Sequence, residues 1–386
     1  MPVLNRIADR ADEIADWRHD FHQYPELLYD VHRTAGKVAE MLKSFGCDEV
    51  VTGIGRTGVV GVIRGKKQGS KVLGLRADMD ALPLEEITGL PYASKTPGKM
   101  HACGHDGHTS MLLGAARHLC ETRNFGGTAV VIFQPAEEGG AGAKAMIDDG
   151  LLDRWNIQEV YGMHNYPGIE LGTFAVKSGP LMAAADRISI DIEGVGGHAA
   201  RPHKAIDTVL VGCAILNGLQ QIVARNVDPL ESAVISIPMF QAGQTDNVIP
   251  QTAHLRGTSR SFNPKIQDLV EKRIHEVVEH TAKAYGAKAT LTYRRDYPVV
   301  VNTPKEAEFA GKVAGEIVSE SNVRPAVPVM GAEDFAFLLE KRPGAFIFMG
   351  NGDSANLHHP AYDFNDKAIP FGTSYWVRLV ENAMPA

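Results

Sequence analysis

Over most of its first half the chain alternates between short apolar runs rich in β-formers and longer stretches with helical periodicity, and this alternation narrows the fold more than any other feature. The runs fall at Val59–Ile63, Val72–Leu75, Thr128–Phe133, Val160–Met163 and Gly172–Val176, with helical patterns near Thr34–Phe45 and Thr109–Cys120. Nearly continuous apolar runs suit strands buried on both faces, so the pattern predicts an α/β domain with a mostly parallel central sheet flanked by helices. The pattern changes near Ser189. Ile188-Ser-Ile-Asp-Ile alternates apolar with polar, a helix pattern runs from about Ala205 to Val223, alternation returns at Ala233–Ile237 and His254–Ser261, and Ile266–Tyr285 is amphipathic. Two helices and four strands in this order predict an α+β domain with a four-stranded sheet. After Tyr297-Pro298 the α/β character resumes, with Ala345–Met349 strand-like. A chain of 386 residues exceeds what one core usually holds. The expected division is therefore 1–184 and 297–386 as two parts of one domain, with 185–296 inserted between them.

Residues 101–108 read His-Ala-Cys-Gly-His-Asp-Gly-His. A thiolate and an imidazole one glycine apart can turn toward a common point, and both bind borderline-soft divalent metals well. Candidates for further ligands recur beside glycines or after apolar runs: Glu137 and Glu138 in Phe-Gln-Pro-Ala-Glu-Glu-Gly-Gly, His164 in Val-Tyr-Gly-Met-His-Asn, and the His358-His359 pair. They fall just after strands or at helix starts, where open α/β sheets place their sites.

Other features exclude alternatives. A net charge of −7 without a Lys/Arg-rich run gives no electrostatic reason to bind nucleic acid. The first ten residues lack the basic segment and apolar core of a secretion signal, and no apolar stretch reads as long enough to span a bilayer, so no membrane partner and a cytoplasmic location are expected. Cys47, Cys120 and Cys213 sit in helix-like or apolar surroundings and read as free packing thiols, unlike Cys103 between its histidines. Gly194-Val-Gly196-Gly-His-Ala199 matches the spacing of a dinucleotide fingerprint, but Arg201-Pro202-His203 falls where the phosphate-binding helix should run and Asp207 comes too early for the ribose contact. A glycine-rich turn is the better reading, one that leaves His198 unexplained.

Met-His-Ala-Cys-Gly-His-Asp-Gly-His-Thr, Phe-Gln-Pro-Ala-Glu-Glu-Gly, Gly-Gly-His-Ala-Ala-Arg-Pro-His, Gly-Ala-Glu-Asp-Phe and Leu-His-His-Pro, in that order, resemble the metal-dependent amidohydrolases that include hippurate hydrolase, bacterial N-acyl-amino-acid deacylases and plant auxin-conjugate hydrolases. The resemblance implies that Cys103, His105, Glu138, His164 and His358 hold two divalent ions, zinc or manganese with cobalt or nickel as alternatives. It implies that Glu137 is the catalytic carboxylate, taking a proton from the attacking water and returning it to the leaving amine. It also makes 1–184 and 297–386 the catalytic domain and 185–296 a lid and dimerisation domain. His198 would then stabilise the oxyanion, often from the partner subunit, while Asn247 and Arg260 grip the substrate carboxylate in a homodimer or dimer-based tetramer.

Other branches of this clan carry a ligand histidine in a His-x-Asp element where this chain has Arg76-Ala-Asp78-Met-Asp80. Asp78 and Asp80 can therefore be ligands or can orient histidines by hydrogen bonding. His359 is taken as a neighbour of the site. The expected activity is hydrolysis of an N-acyl amino acid such as hippurate. Alternatives are an N-acetyl-amino-acid deacetylase acting on a substrate such as acetyl-diaminopimelate, a dipeptidase, or a metal-binding protein that has lost catalysis.

Overall fold

A computed structural model describes residues 3–386, so Met1 and Pro2 of the segment considered above as a possible leader lie outside the described residues. The chain forms two compact units. One runs to Gly179 and resumes at Val301–Val327 and Asp334–Ala386, and the other comprises Pro180–Val300 and Pro328–Glu333.

The first unit is an α/β structure around an eight-stranded sheet. Its order is Glu49–Ile54, Gly58–Arg64, Gly126–Gln134, Lys67–Asp78, Glu159–Pro167, Gly344–Gly352, Phe174–Val176 and Val323–Pro325. The four central strands run parallel, and antiparallel pairs lie toward the edges. Val59, Ile63, Leu73, Leu75, Val131 and Phe133 are buried in a continuous core with residues of the flanking helices. The helix His105–Thr122 is buried on almost every side, which suits its Met111, Leu112, Leu113, Ala115 and Ala116 run. The helix Ala11–Gln23 and the edge strand Glu49–Ile54 were not anticipated from periodicity. That strand carries Gly53 at φ 86 and a register shift, which erase a clean alternation.

Parallel alignment has a direct consequence for the site. The carboxyl ends of the four central strands carry Asp78 and Asp80, Glu137 and Glu138, His164, and the loop to His358. Side chains far apart in sequence thus converge at one edge, as in open α/β sheets generally.

The second unit has a four-stranded antiparallel sheet ordered Ala233–Ala242, Thr252–Ser261, Ala184–Glu193, Lys288–Tyr297. Its alternation buries Ile188, Ile190 and Ile192 against the helices Thr208–Gln221 and Pro264–Ala284. Asp207 caps the first helix by accepting from the N–H groups of Val209 and Leu210 at 2.9 and 3.2 Å. One expectation needs correction: Thr208–Asn226 is long and apolar enough, by length and composition, to cross a membrane. In this structure its Val211, Ile215, Leu219 and Ile222 are buried against the sheet. The glycine-rich stretch after Glu193 continues as the short strand Gly197–His198, followed by a single 3-10 turn at Pro202–Lys204.

Candidate metal centre

The octet enters the site through a conformation that only glycine tolerates. Gly104 has φ 88, and a Cβ there would lie 2.2 Å from Asn165 Nδ2 and 2.5 Å from Tyr362 Oη. The turn it makes sets Cys103 before the helix and His105 in its first turn, both buried.

Cys103, His105 and His164 form one group whose donor atoms lie within 4.8 Å of one another, and Cys103, Glu138 and His358 form another. Cys103 belongs to both. His105 also groups with Glu137 and Glu138. The five residues predicted as ligands and the predicted base are thus brought together.

Hydrogen bonds fix which nitrogens face the cluster. His105 Nδ1 donates to the Asp80 carbonyl oxygen at 2.8 Å, and His164 Nδ1 donates to the Asn165 carbonyl oxygen at 2.6 Å. Each ring therefore presents Nε2 as a lone pair, the tautomer a metal needs. His164 Nε2 is 3.4 Å from Cys103 Sγ. His105 Nε2 is buried without a hydrogen-bond partner among the described residues, its nearest acidic neighbours being Asp78 Oδ2 at 3.6 Å and Glu138 Oε1 at 4.0 Å. A buried nitrogen left bare beside a thiol and two carboxylates fits a divalent cation.

The charges agree with that fit. Burial disfavours the charged form of His105, but Asp78, Cys103 and Asp80 outweigh it and hold its pKa well above the usual imidazole value. Burial and His108 push His164 well below it. The hydrogen bond to Cys103, then that to Glu138, lifts His358 to about 10. Burial, reinforced by Glu138, raises the Cys103 thiol. A cation would compete with these protons, which couples occupancy to pH.

The two aspartates left open by the sequence have distinct positions. Asp80 accepts from the backbone N–H of Glu137 at 2.9 Å and of Glu138 at 3.1 Å, one on each oxygen. It thereby fixes both carboxylate-bearing residues. Asp78 accepts from His108 Nδ1 at 2.7 Å and from Arg76 Nη1 at 2.7 Å. His105, Arg76 and His108 overcome its burial and hold it well below the usual carboxylate range.

Sequence reasoning missed several supporting residues. His108 sits one helical turn beyond His105, but its Nε2 accepts from the Asn165 backbone N–H at 3.0 Å, so both ring nitrogens already have protein partners. Tyr362 Oη donates to Asn165 Oδ1 at 2.6 Å. Arg76, placed where other branches of the clan have a ligand histidine, donates through Nη2 to Asp334 Oδ1 at 2.9 Å. Asp334, of the Gly-Ala-Glu-Asp-Phe run, also accepts from Gln134 Nε2 and the Ala143 N–H. The i, i+3 spacing of His105 and His108 was an available signal. His359 is exposed, and its Nδ1 accepts from the Ala361 N–H at 3.0 Å, as a turn neighbour would.

The remaining predicted residues lie in the second unit. His198 pairs with Val248, and the Ala199 N–H donates to the Asn247 carbonyl oxygen at 3.0 Å, so His198 and Asn247 are adjacent. The Ala200 N–H donates to His198 Nδ1 at 3.1 Å, which leaves Nε2–H as that ring's donor. Arg260 is not beside them. It stands near the end of Thr252–Ser261, opposite Val234 and Ala185. Eight residues of strand separate it from Thr252, about 26 Å at a rise of 3.3 Å per residue.

Fold and site together define a metal-dependent hydrolase of the amidohydrolase type. The chain belongs to peptidase family M20/M25/M40, whose profile matches residues 74–382. It is 42% identical over 380 residues to a hippurate hydrolase from Campylobacter jejuni, covering 98% of each chain. It is 42% identical over 353 residues to an N-acetyl-L-cysteine deacetylase from Bacillus subtilis, covering 91% of this chain and 83% of that one. Among solved structures, a dinuclear metal-binding M20 peptidase from Bacillus subtilis aligns with a TM-score of 0.85 at 35% identity, covering 98% of this chain and 99% of that one.

Proposed function

We propose that this protein hydrolyses the amide bond of N-acyl amino acids, hippurate among them, with two divalent ions per subunit held by Cys103, His105, Glu138, His164 and His358. The observation that carries the proposal is the overlap of two ligand groups at Cys103, with Glu137 grouped with His105 and Glu138 beside it. Thiolate and imidazole donors favour zinc, and the carboxylates also admit manganese. Cations held there would supply Lewis acidity toward the scissile carbonyl and make water more acidic.

The chain's own groups do the rest. Glu137 accepts the proton of the attacking water and delivers it to the leaving nitrogen as the C–N bond breaks. Asp80 keeps Glu137 and Glu138 in register through its two N–H contacts. Arg260 offers a planar fork to the substrate carboxylate. His198 donates from Nε2 to the developing oxyanion. His198 and Asn247 lie about a strand's length from Arg260, so we assign them to the active site of a second copy. Unit Pro180–Val300 then acts as the lid and dimerisation domain of a homodimer or dimer-based tetramer.

A panel of hippurate, N-acetyl-cysteine and simple dipeptides, with metal content measured on the same preparation, tests the substrate class. The deacetylase resemblance makes N-acetyl substrates the second reading, and kcat/KM ranks the two. Activity on none of the panel by metal-loaded protein would overturn the proposal. The trans arrangement is tested by mixing inactive His198→Ala and Glu137→Gln chains. Statistical exchange makes about half the dimers mixed, each with one working site of two, so activity recovers to roughly a quarter of wild type. Proven exchange without recovery would exclude it.

A further inference from the structure

Far along the helix that begins at His105, a pair of sulfurs meets. Cys120 lies in the last turn of His105–Thr122, and Cys47 in the short link between the helix His32–Phe45 and the strand Glu49–Ile54. Their Sγ atoms are 3.4 Å apart across 73 residues of sequence. Cys120 is almost fully buried, whereas Cys47 is half-buried, so a small solute approaches from the Cys47 side.

The surroundings favour reactivity over inert packing. Arg123 ties the link together, donating to Asp48 Oδ2 at 2.7 Å and to the carbonyl oxygens of Gly46 and Arg64 at 2.8 Å. That places a fixed cation beside the thiol pair. The contact with Cys47 and then the charge of Arg123 hold the Cys120 thiol below its ordinary value against burial, while the same contact raises Cys47. The two sulfurs share one contact in which either can donate, so one can stand as the thiolate while the other is its hydrogen-bond donor. The closure needed is small. The link follows Gly46 at φ 85 and precedes the sheet's edge strand, and closing the sulfurs from 3.4 Å to a bond of about 2.05 Å asks for a shift of little more than an ångström.

We propose that Cys47 and Cys120 form a reversible dithiol–disulfide site that is oxidised by peroxides. The Cys120 thiolate attacks a peroxide oxygen, the O–O bond breaks, and the departing hydroxide takes a proton to leave as water. Cys120 is then a sulfenic acid. Cys47, its proton passing to solvent, attacks the Cys120 sulfur; the S–O bond breaks and hydroxide leaves as a second water. Two thiols are oxidised by two electrons and one hydrogen peroxide is reduced to two waters. The product staples the chain between positions 47 and 120. Cys120 lies about 22 Å along the helix from His105, so the staple leaves the metal-binding residues in place.

The test uses the metal-loaded full-length protein treated with a few-fold excess of hydrogen peroxide, then alkylated and mapped by mass spectrometry without reduction. The expected product is a Cys47–Cys120 cross-linked peptide two hydrogens lighter than the dithiol and restored by dithiothreitol. A reversible rise in Tm on the order of 5 °C accompanies it. In Cys47→Ser the cross-link disappears and Cys120 accumulates as sulfenic or sulfinic acid. Should that variant fold poorly, the wild-type map and Cys47→Ala carry the same comparison. Oxidation of the exposed Cys213 while Cys47 and Cys120 stay unlinked would overturn the proposal. So would equal over-oxidation of Cys120 in wild type and Cys47→Ser. Neither readout depends on turnover, so the outcome is independent of the proposed substrate.

Discussion

Asp80→Asn perturbs the carboxylate that ties Glu137 and Glu138 together at the centre of the site. The wild-type carboxylate accepts one backbone N–H on each oxygen, from Glu137 at 2.9 Å and from Glu138 at 3.1 Å. An asparagine of the same shape keeps one acceptor and presents an NH₂ group to the other N–H, so one amide loses its bond and faces a donor. A hydrogen bond to a charged group contributes roughly 1.5–3 kcal/mol. If that loss falls on the transition state, each 1.36 kcal/mol is a factor of ten, and kcat falls by roughly ten- to a hundredfold. Asp80 also carries the carbonyl that fixes His105 Nδ1, but that group belongs to the backbone and survives the substitution. Bound metal should therefore drop less than turnover. The assay compares kcat on whichever N-acyl amino acid the wild type cleaves, metal stoichiometry by elemental analysis, and unfolding by denaturant. Wild-type kcat in a folded, metal-loaded variant would refute the claim that Asp80 positions the Glu137–Glu138 pair. An equal loss of metal and activity would mean that Asp80 acts on the ligands and not on the base.

Glu137→Gln should keep full metal content while lowering kcat by roughly two to four orders of magnitude, and Glu138→Gln should lose metal first; the reverse pattern would exchange base and ligand. Burial opposes charge on His22, but the hydrogen bond to Asp106 and the Glu86 carboxylate 3.3 Å from its Nε2 lift its pKa to about 9. A pKa raised above the unfolded value of about 6.5 stabilises the fold fully below that pH and is lost as pH climbs through 9. Unfolding free energy should thus fall by about 3 kcal/mol across that window in wild type and not in His22→Gln. Asp334→Asn removes the negative charge facing Arg76 Nη2 in a fully buried network, turns an NH₂ group toward one of its donors, and should destabilise the protein by roughly 3 kcal/mol or more, measured as a lower denaturant midpoint. An unchanged midpoint would show that the Asp334 charge is not needed to hold Arg76 in place.

The sequence made the layered α/β architecture and the candidate ligands legible, because strand burial on both faces writes continuous apolar runs and metal-binding turns need glycine beside their ligands. It did not make their neighbours legible, and the octet shows why. His105, Asp106 and His108 are three residues of one helical turn with three different environments. His105 and His108 share a face, yet Asn165 arrives from a parallel strand and occupies His108 Nε2, leaving only the His105 nitrogen bare. Asp106 points elsewhere, to His22 at 2.8 Å and Arg18 at 3.1 Å on the helix Ala11–Gln23. Spacing along one segment can say which side chains turn together. Only the partner delivered by another segment decides which of them keeps a free lone pair. The same logic separates Asn247 from Arg260: the motifs place both in one domain, but the register of Thr252–Ser261 against Ala184–Glu193 puts them at opposite ends. Motif resemblance treats the two as one grip, whereas the strand register holds them about a strand's length apart within one chain.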